Sequence, residues 1–382
     1  MTLDPAVFAR LTKYLEARSL DAALLSDPGT VTWLTGYAPP IESGPNPFEA
    51  WTALAWVADG TVTLILSDAE APRITTDGIT VVDYAGYTIE GPVTAFANQA
   101  AVLKGLLRRH ASTSRIAIGY EPDTMPVSLL RAAESGLPMA DWHALDDGPA
   151  RLRAVKTAAE LARLRRALAL CDLAQARFRS ALRPGVTEID LWNEVRAAVE
   201  HEAGGRIPAL VDVVSGPRAA DIGGPPTSKQ VGPGDSVILD VVLRLDGCWG
   251  DTAGTWFAGE PSADLARAYR FVRDALRRGI DAVRPGIEAG ELDSILRDGV
   301  AGYAPGTSFP HHAGHGLGAT YHDPPRIVPY ESMILEPGMV ITLEPGIYLP
   351  GVGGVRLEDV VLVTADSCEV LTHHLEGDSP LA

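Results

Sequence analysis

A chain of 382 residues with 46% hydrophobic side chains can bury more than one core, and two domains are the starting expectation. Its 49 acidic against 32 basic residues give a formal net charge of -17, a field that repels phosphate and argues against a nucleic-acid or anionic-membrane partner. Cys171, Cys248 and Cys368 lie too far apart for a CxxC motif, no apolar run reaches the roughly 18 residues of a membrane span, and the N-terminus lacks a signal-peptide core, so a cytoplasmic protein with reduced thiols is expected.

The first 150 residues alternate helix and strand signals. An amphipathic helix at 5 to 18 sets Phe8, Leu11 and Leu15 on one side, and DAALLSD reads as a strand. WTALAWVADGTVTLILSD reads as a strand pair, 92 to 110 as a helix and RIAIGY as a further strand. The alternation predicts a small α/β domain with a mixed sheet over residues 1–150, its core packed by Trp33, Trp51 and Trp56. Asp146-Asp147-Gly148-Pro149 is a turn signal at the boundary. The second domain, 151–382, opens with the helical segment TAAELARLRRALALCDLAQARFRSAL, stopped by Arg183-Pro184-Gly185.

An internal repeat organises this second part. ALRPGVTEIDLW at 181 returns as AVRPGIEAGELD at 282, and GPGDSVILD at 232 returns as EPGMVITLE at 336. Each half is expected to hold a helix ending at Arg-Pro-Gly, a second helix, and a Pro-Gly turn launching a buried strand that finishes on an acid, Asp240 or Glu344. A second acid follows each through a hairpin: Asp251 after the turn at Asp246-Gly247, and Glu358 after Gly351, Gly353 and Gly354. Pseudo-twofold packing would make the four acids face one another across the middle of a shared sheet. Four carboxylates in one pocket raise one another's pKa and call for a cation. FPHHAGHGLGATYHDPP, 309 to 325, adds His311, His312, His315 and His322, which suggests a zinc cage until the acids are counted. Oxygen donors with one imidazole make a hard site that favours manganese, with cobalt, iron or catalytic zinc as alternatives.

The motifs VILDVV, GDTAGTWF, HHAGHGLG, TLEPGIY and GVRLEDVVLV, in this order, resemble the pita-bread-fold metallopeptidases that include methionine aminopeptidase, aminopeptidase P and Xaa-Pro dipeptidase, or prolidase. TWLTGY near residue 33 and RLRAVKTAAELARLRRA from 151 extend the resemblance to the prolidase, aminopeptidase P and creatinase branch, with its creatinase-like N-terminal domain. The resemblance implies a pita-bread catalytic domain holding two divalent metal ions through Asp240, Asp251, His315, Glu344 and Glu358, with Asp251 and Glu358 bridging. It further implies Glu344 as general base toward a water between the ions, and His322 as a hydrogen-bond partner of the substrate carbonyl. His311 would lie on the substrate's proline side, while Arg356 and Tyr348 would orient Glu358 or hold the substrate. His312 has no counterpart in the resemblance and is expected to have a plain surface or core role; Gly223 stands where the branch usually has another histidine.

The expected activity is hydrolysis of Xaa-Pro dipeptides by a homodimer. An aminopeptidase P cleaving longer Xaa-Pro-Yaa peptides is the close alternative. A metal-free creatinase-like amidinohydrolase, or a catalytically dead binding protein on the same fold, would have no use for the five ligands.

Overall fold

A computed structural model describes residues 1–39, 48–110, 115–304 and 306–376, and the chain divides into two units, Met1–Arg153 and Ala154–Ala382. In the first unit the elements run α1 (Pro5–Ala17), β1 (Ala22–Leu25), α2 (Pro28–Thr35), β2 (Leu54–Ala58), β3 (Thr61–Ser67), β4 (Ile79–Tyr84), α3 (Ala95–Arg108), β5 (Ile116–Tyr120), α4 (Val127–Gly136), β6 (Ala140–Ala144) and α5 (Gly148–Ala154). The six strands form one mixed sheet in the order β4-β3-β2-β1-β5-β6. Asp59 and Gly60, both at positive φ, close the β2–β3 hairpin. On α1 the buried side is Val7, Leu11 and Leu15, a strict i, i+4, i+8 stripe that passes over Phe8. Trp33 and Trp56 are core residues as expected, whereas Trp51 is exposed and meets Phe96 edge to face. The elements α2, β4, α4 and β6 carry too short or too mixed a pattern to have been read from sequence.

The second unit continues with α6 (Ala158–Ala181), α7 (Glu188–Glu202), β7 (Ala209–Ser215), β8 (Ser236–Leu245), β9 (Cys248–Phe257), α8 (Ala263–Ala282), α9 (Ala289–Ala301), β10 (Gly314–Gly316), β11 (Asp323–Ile327), β12 (Val340–Leu343), β13 (Gly346–Leu349), β14 (Gly353–Arg356), β15 (Asp359–Val363) and β16 (Cys368–Val370). The repeat seen in sequence is a repeat in space. Helix pairs α6–α7 and α8–α9 are broken at the same Arg-Pro-Gly, where Gly185 (φ 88°) and Gly286 (φ 89°) take the left-handed conformation. Gly185 N–H donates to Val231 O at 2.8 Å, and Gly286 N–H donates to Leu335 O at 2.9 Å. Thr157 and Glu160, and Thr187 and Asp190, form capping boxes that start α6 and α7.

Parity along the strands decides what each face meets. Val211, Val213, Leu239, Val241 and Leu243 join the core with α6 residues such as Cys171, Ala174 and Phe178. On the same side Gln175 donates to Leu239 O and Thr252 O, both at 3.3 Å, and accepts from Trp256 Nε1. Gly250 lets the backbone of α6 approach, since a Cβ there would lie 2.9 Å from Ala167 carbonyl atoms. The opposite parity turns Asp212, Asp240 and Asp251 to the other face: Asp212 pairs with Asp240, and Asp251 with Val242.

Two expectations are corrected here. Asp240 is mid-strand, the fifth residue of the ten in β8, because its ladder with β9 runs unbroken from Ser236↔Phe257 to Leu245↔Cys248. Nor do the halves share one continuous sheet: β7-β8-β9 and β11-β10-β12-β15-β16 are separate, with β13-β14 a two-stranded ribbon. Pairing of β12 with β15 ends at Leu343↔Asp359, just before Glu344-Pro345, where the proline has no N–H to offer. Glu358 N–H instead donates to Ala253 O of β9 at 2.9 Å, and Thr255 Oγ1 donates to Arg356 O at 2.8 Å, joining the two hairpins.

Candidate metal centre

Where the hairpins meet, a cavity of about 230 Å³ is lined by Asp240, Asp251, Glu344 and Glu358 together with His311, His312, His315 and His322. All four acids and all four histidines named from sequence are therefore brought to one place. Ligand atoms of Asp251, His315 and Glu358 lie within 4.8 Å of one another, as do those of His312, His315 and His322.

His315 is placed by its two glycine neighbours. A Cβ at Gly314 would lie 2.0 Å from Thr342 O, and one at Gly316 would lie 2.2 Å from Pro324 O, so only glycine lets β10 fit between β12 and β11. His315 Nδ1 donates to Gly316 O at 3.0 Å, which leaves Nε2 as the lone-pair atom, 3.5 Å from Asp251 Oδ2 and 3.7 Å from Glu344 Oε1. Burial lowers its pKa and keeps the ring neutral, the form that binds metal.

The carboxylates carry more negative charge than the protein around them balances. Burial raises the pKa of Asp251 well above the usual carboxylate value, and Asp240 and Glu344 add to it. Glu358 is raised well above as well, by burial and then by Asp251 and Glu344. Asp240 is raised by burial against the opposing pull of Arg356. Glu344 goes the other way: burial opposes its ionisation, but the close His312 imidazole and then His315 hold its carboxyl down at about 2. His312 Nε2 comes within 2.9 Å of Glu344 Oε1, off the line a hydrogen bond needs, and this buried oxygen has no hydrogen-bond partner. An orphaned buried carboxylate oxygen beside three further acids and a neutral imidazole fits a divalent cation, and the donor set is the hard, oxygen-rich kind.

Arg356 is the cation the protein does supply. It is 3% exposed; Nη2 donates to Asp240 Oδ2 at 2.5 Å, while Nη1 donates to Ile222 O at 2.6 Å and to Tyr348 OH at 3.3 Å. Tyr348 OH in turn donates to His311 Nε2 at 2.8 Å, and His311 Nδ1 donates to His312 O at 2.7 Å. The directions follow from the two ends of this chain: Arg356 can only donate and the His312 carbonyl can only accept, so Nδ1 of the neutral His311 ring carries the proton and Nε2 accepts from Tyr348. Burial pulls the His311 pKa down to about 4. His322 is exposed, its ring 4.0 Å from that of His315 between centroids; partial burial, then the His315 and His312 rings, lower its pKa.

Arg356 thus grips Asp240 rather than Glu358, and His312 is a cavity residue rather than a surface or plain core one. Sequence reasoning also missed Asp212 and Ile222, both in the cavity wall. The available signal for Asp212 was its charge in the otherwise apolar run LVDVV, one residue from Val211 and from Val213 and so on the face opposite their core side. Gly223 also lines the cavity, and a Cβ there would lie 2.9 Å from Asp212 Oδ2.

Residues 162–365 match the family described as metallopeptidase family M24, and residues 8–155 match the creatinase/prolidase N-terminal domain. A Xaa-Pro dipeptidase of Lactobacillus helveticus is 32% identical over 375 residues, 95% of this chain and 96% of that protein. The solved Xaa-Pro dipeptidase from Bacillus anthracis superposes with a TM-score of 0.80 at 26% identity, covering 96% of this chain and 97% of that one. The prolidase from Pyrococcus furiosus gives 0.78 at 26% identity, covering 96% and 99%.

Proposed function

The chain belongs to metallopeptidase family M24, with its pita-bread fold and need for divalent metal, and we propose that it hydrolyses the Xaa-Pro bond of dipeptides. The observation that carries this reading is the convergence of Asp251, His315 and Glu358 ligand atoms, in a chain aligned along nearly its whole length with Xaa-Pro dipeptidases.

In this reading residues 151–382 carry catalysis, and Asp240, Asp251, His315, Glu344 and Glu358 hold two divalent ions, manganese by preference. When bound, the ions supply Lewis acidity for the scissile carbonyl and lower the pKa of water. Glu344, ionised at neutral pH, accepts the proton of the attacking water and returns it to the leaving proline nitrogen. His322 at the mouth, held neutral, donates an N–H to the carbonyl oxygen as charge develops there. His311, its ring nitrogens occupied by Tyr348 and the His312 carbonyl, presents a fixed ring to the proline side. Arg356 favours the ionised form of Asp240 against the cost of burial and holds its carboxylate at the cavity wall.

The decisive test is chelation followed by readdition of manganese, cobalt, zinc or iron, with Ala-Pro and Ala-Pro-Ala offered in parallel. Metal-dependent cleavage of Ala-Pro, fastest with manganese, is expected. Activity surviving complete metal removal would refute the mechanism, and cleavage of the tripeptide alone would select aminopeptidase P.

Association and location complete the proposal. A homodimer formed through residues 1–150 is supported by exposed Phe48, Trp51, Tyr87, Ile89, Val93 and Phe96 on the first unit. Light scattering of wild type and Trp51→Glu tests it: a dimer that becomes monomeric is expected. A cytoplasmic setting fits the free thiols of Cys171, Cys248 and Cys368, and cell fractionation checks it. Among the described residues no helix is long and apolar enough to cross a membrane.

A further inference from the structure

Of the charged groups in the cavity wall, Asp212 is the one for which the proposed chemistry has no use. It sits on β7 directly opposite Asp240, a like-charge cross-strand pair that sheets ordinarily avoid. Arg356 goes to Asp240, and no Lys, Arg or His among the described residues forms an ion pair with Asp212. Its Oδ2 accepts Gly224 N–H at 2.8 Å, which fixes the carboxylate without neutralising it.

The wall beside it is shaped to leave this carboxylate open. Gly223 N–H donates to Asp221 O at 3.0 Å across Ile222, whose φ of 78° and ψ of -59° make a positive-φ γ-turn on a β-branched residue. That conformation is rare and strained, and it persists here under the grip of Arg356 on Ile222 O. The turn brings Gly223, with no side chain, against Asp212 Oδ2, where a Cβ would be only 2.9 Å away. A carboxylate held in place, without an ion-pair partner among the described residues and with the bare backbone of Gly223 against it, lines the same cavity as the metal centre.

Resting on the Xaa-Pro dipeptidase reading, we propose that Asp212 is a specificity-determining residue that receives a cationic side chain on the residue preceding proline, so that Lys-Pro and Arg-Pro are the preferred dipeptides. The chain's net charge of -17 draws the same substrates in. A charge-assisted contact of this kind raises kcat/KM roughly tenfold over an uncharged isostere.

The test compares Lys-Pro with norleucyl-proline, which replaces the ammonium by a methyl group, on the full-length, manganese-loaded protein. The kcat/KM ratio is expected near tenfold, carried by KM, and to fall toward one in Asp212→Asn, whose amide oxygen still accepts Gly224 N–H. Gly223→Ala, which must push the Asp212 carboxylate aside, is expected to lower the ratio by an independent route. An equal ratio in wild type and Asp212→Asn would overturn the inference, as would a uniform loss on both substrates, which marks a loop-holding role. Wild type cleaving norleucyl-proline as well as Lys-Pro overturns this inference alone; failure to cleave any Xaa-Pro dipeptide removes the underlying reading and the inference with it.

Discussion

Residues 232–251 and 336–358 carry one device twice, a Pro-Gly turn feeding a strand with an acid six residues beyond the glycine, and the two copies hold their acids differently. In the first, β8 and β9 pair over ten residues without a break, and strand parity alone turns Asp240 and Asp251 to the cavity. In the second, β12 and β15 pair over four residues and stop at Glu344-Pro345. The acids beyond that break are placed by bonds outside their own ladder: Glu344 N–H donates to Ala313 O and Glu358 N–H to Ala253 O, both at 2.9 Å. One half supplies a rigid carboxylate pair; the other supplies a pair whose position depends on its neighbours, and the proposed base is among them.

The largest effect should therefore come from the interrupted half. Glu344→Gln is expected to lower kcat about a thousandfold, the scale of losing a general base, with the fold intact and an unchanged unfolding midpoint in metal-free protein. Near-normal turnover in that variant would remove Glu344 as the base. Next, Arg356→Met tests the link between halves: it strips Asp240 of its cation and leaves Ile222 O unpaired. In denaturant titrations of metal-free protein it should cost about 3 kcal/mol, the scale of breaking a buried ion pair. Metal itself should unify the two carboxylate pairs. Free ion at about a hundred times its Kd should raise unfolding stability by about 2.7 kcal/mol over chelated protein, read from the shift in midpoint.

The smallest test uses the glycines that start the two strands, Gly234 at φ 78° and Gly338 at φ 92°. Alanine at either pays the left-handed penalty of about 1 kcal/mol. At Gly234 the new Cβ would meet the Glu260 carbonyl oxygen at 2.7 Å, whereas at Gly338 it would meet the end of the Val155 side chain at 3.0 Å. Gly234→Ala should therefore lower the melting temperature more than Gly338→Ala, and equal shifts would mean that the two turns relax alike.

Much of this architecture is legible in the sequence. The helices that end at Arg-Pro-Gly, the two hairpins and the four acids follow from turn chemistry and hydrophobic period, which act over a few residues, whereas His315 is one of four candidate histidines until the family resemblance singles it out. Helix α2 and strand β4 escaped because eight- and six-residue elements carry little periodic signal. Trp51 was misjudged because a tryptophan says nothing of which side of a loop faces the core.

In the site the boundary between the two kinds of information is sharp. The repeat predicts that two acids from each half converge, whereas the close backbone approach that Gly314 and Gly316 allow around His315 emerges only in the fold. That Arg356 holds Asp240, that His312 stands 2.9 Å from Glu344, and that Asp212 is left open beside Gly223 came from strands far apart in the chain meeting at one seam. Local propensities set a residue's conformation and parity, but which side chains share a cavity is set by long-range backbone pairing, including the one ladder that Pro345 interrupts.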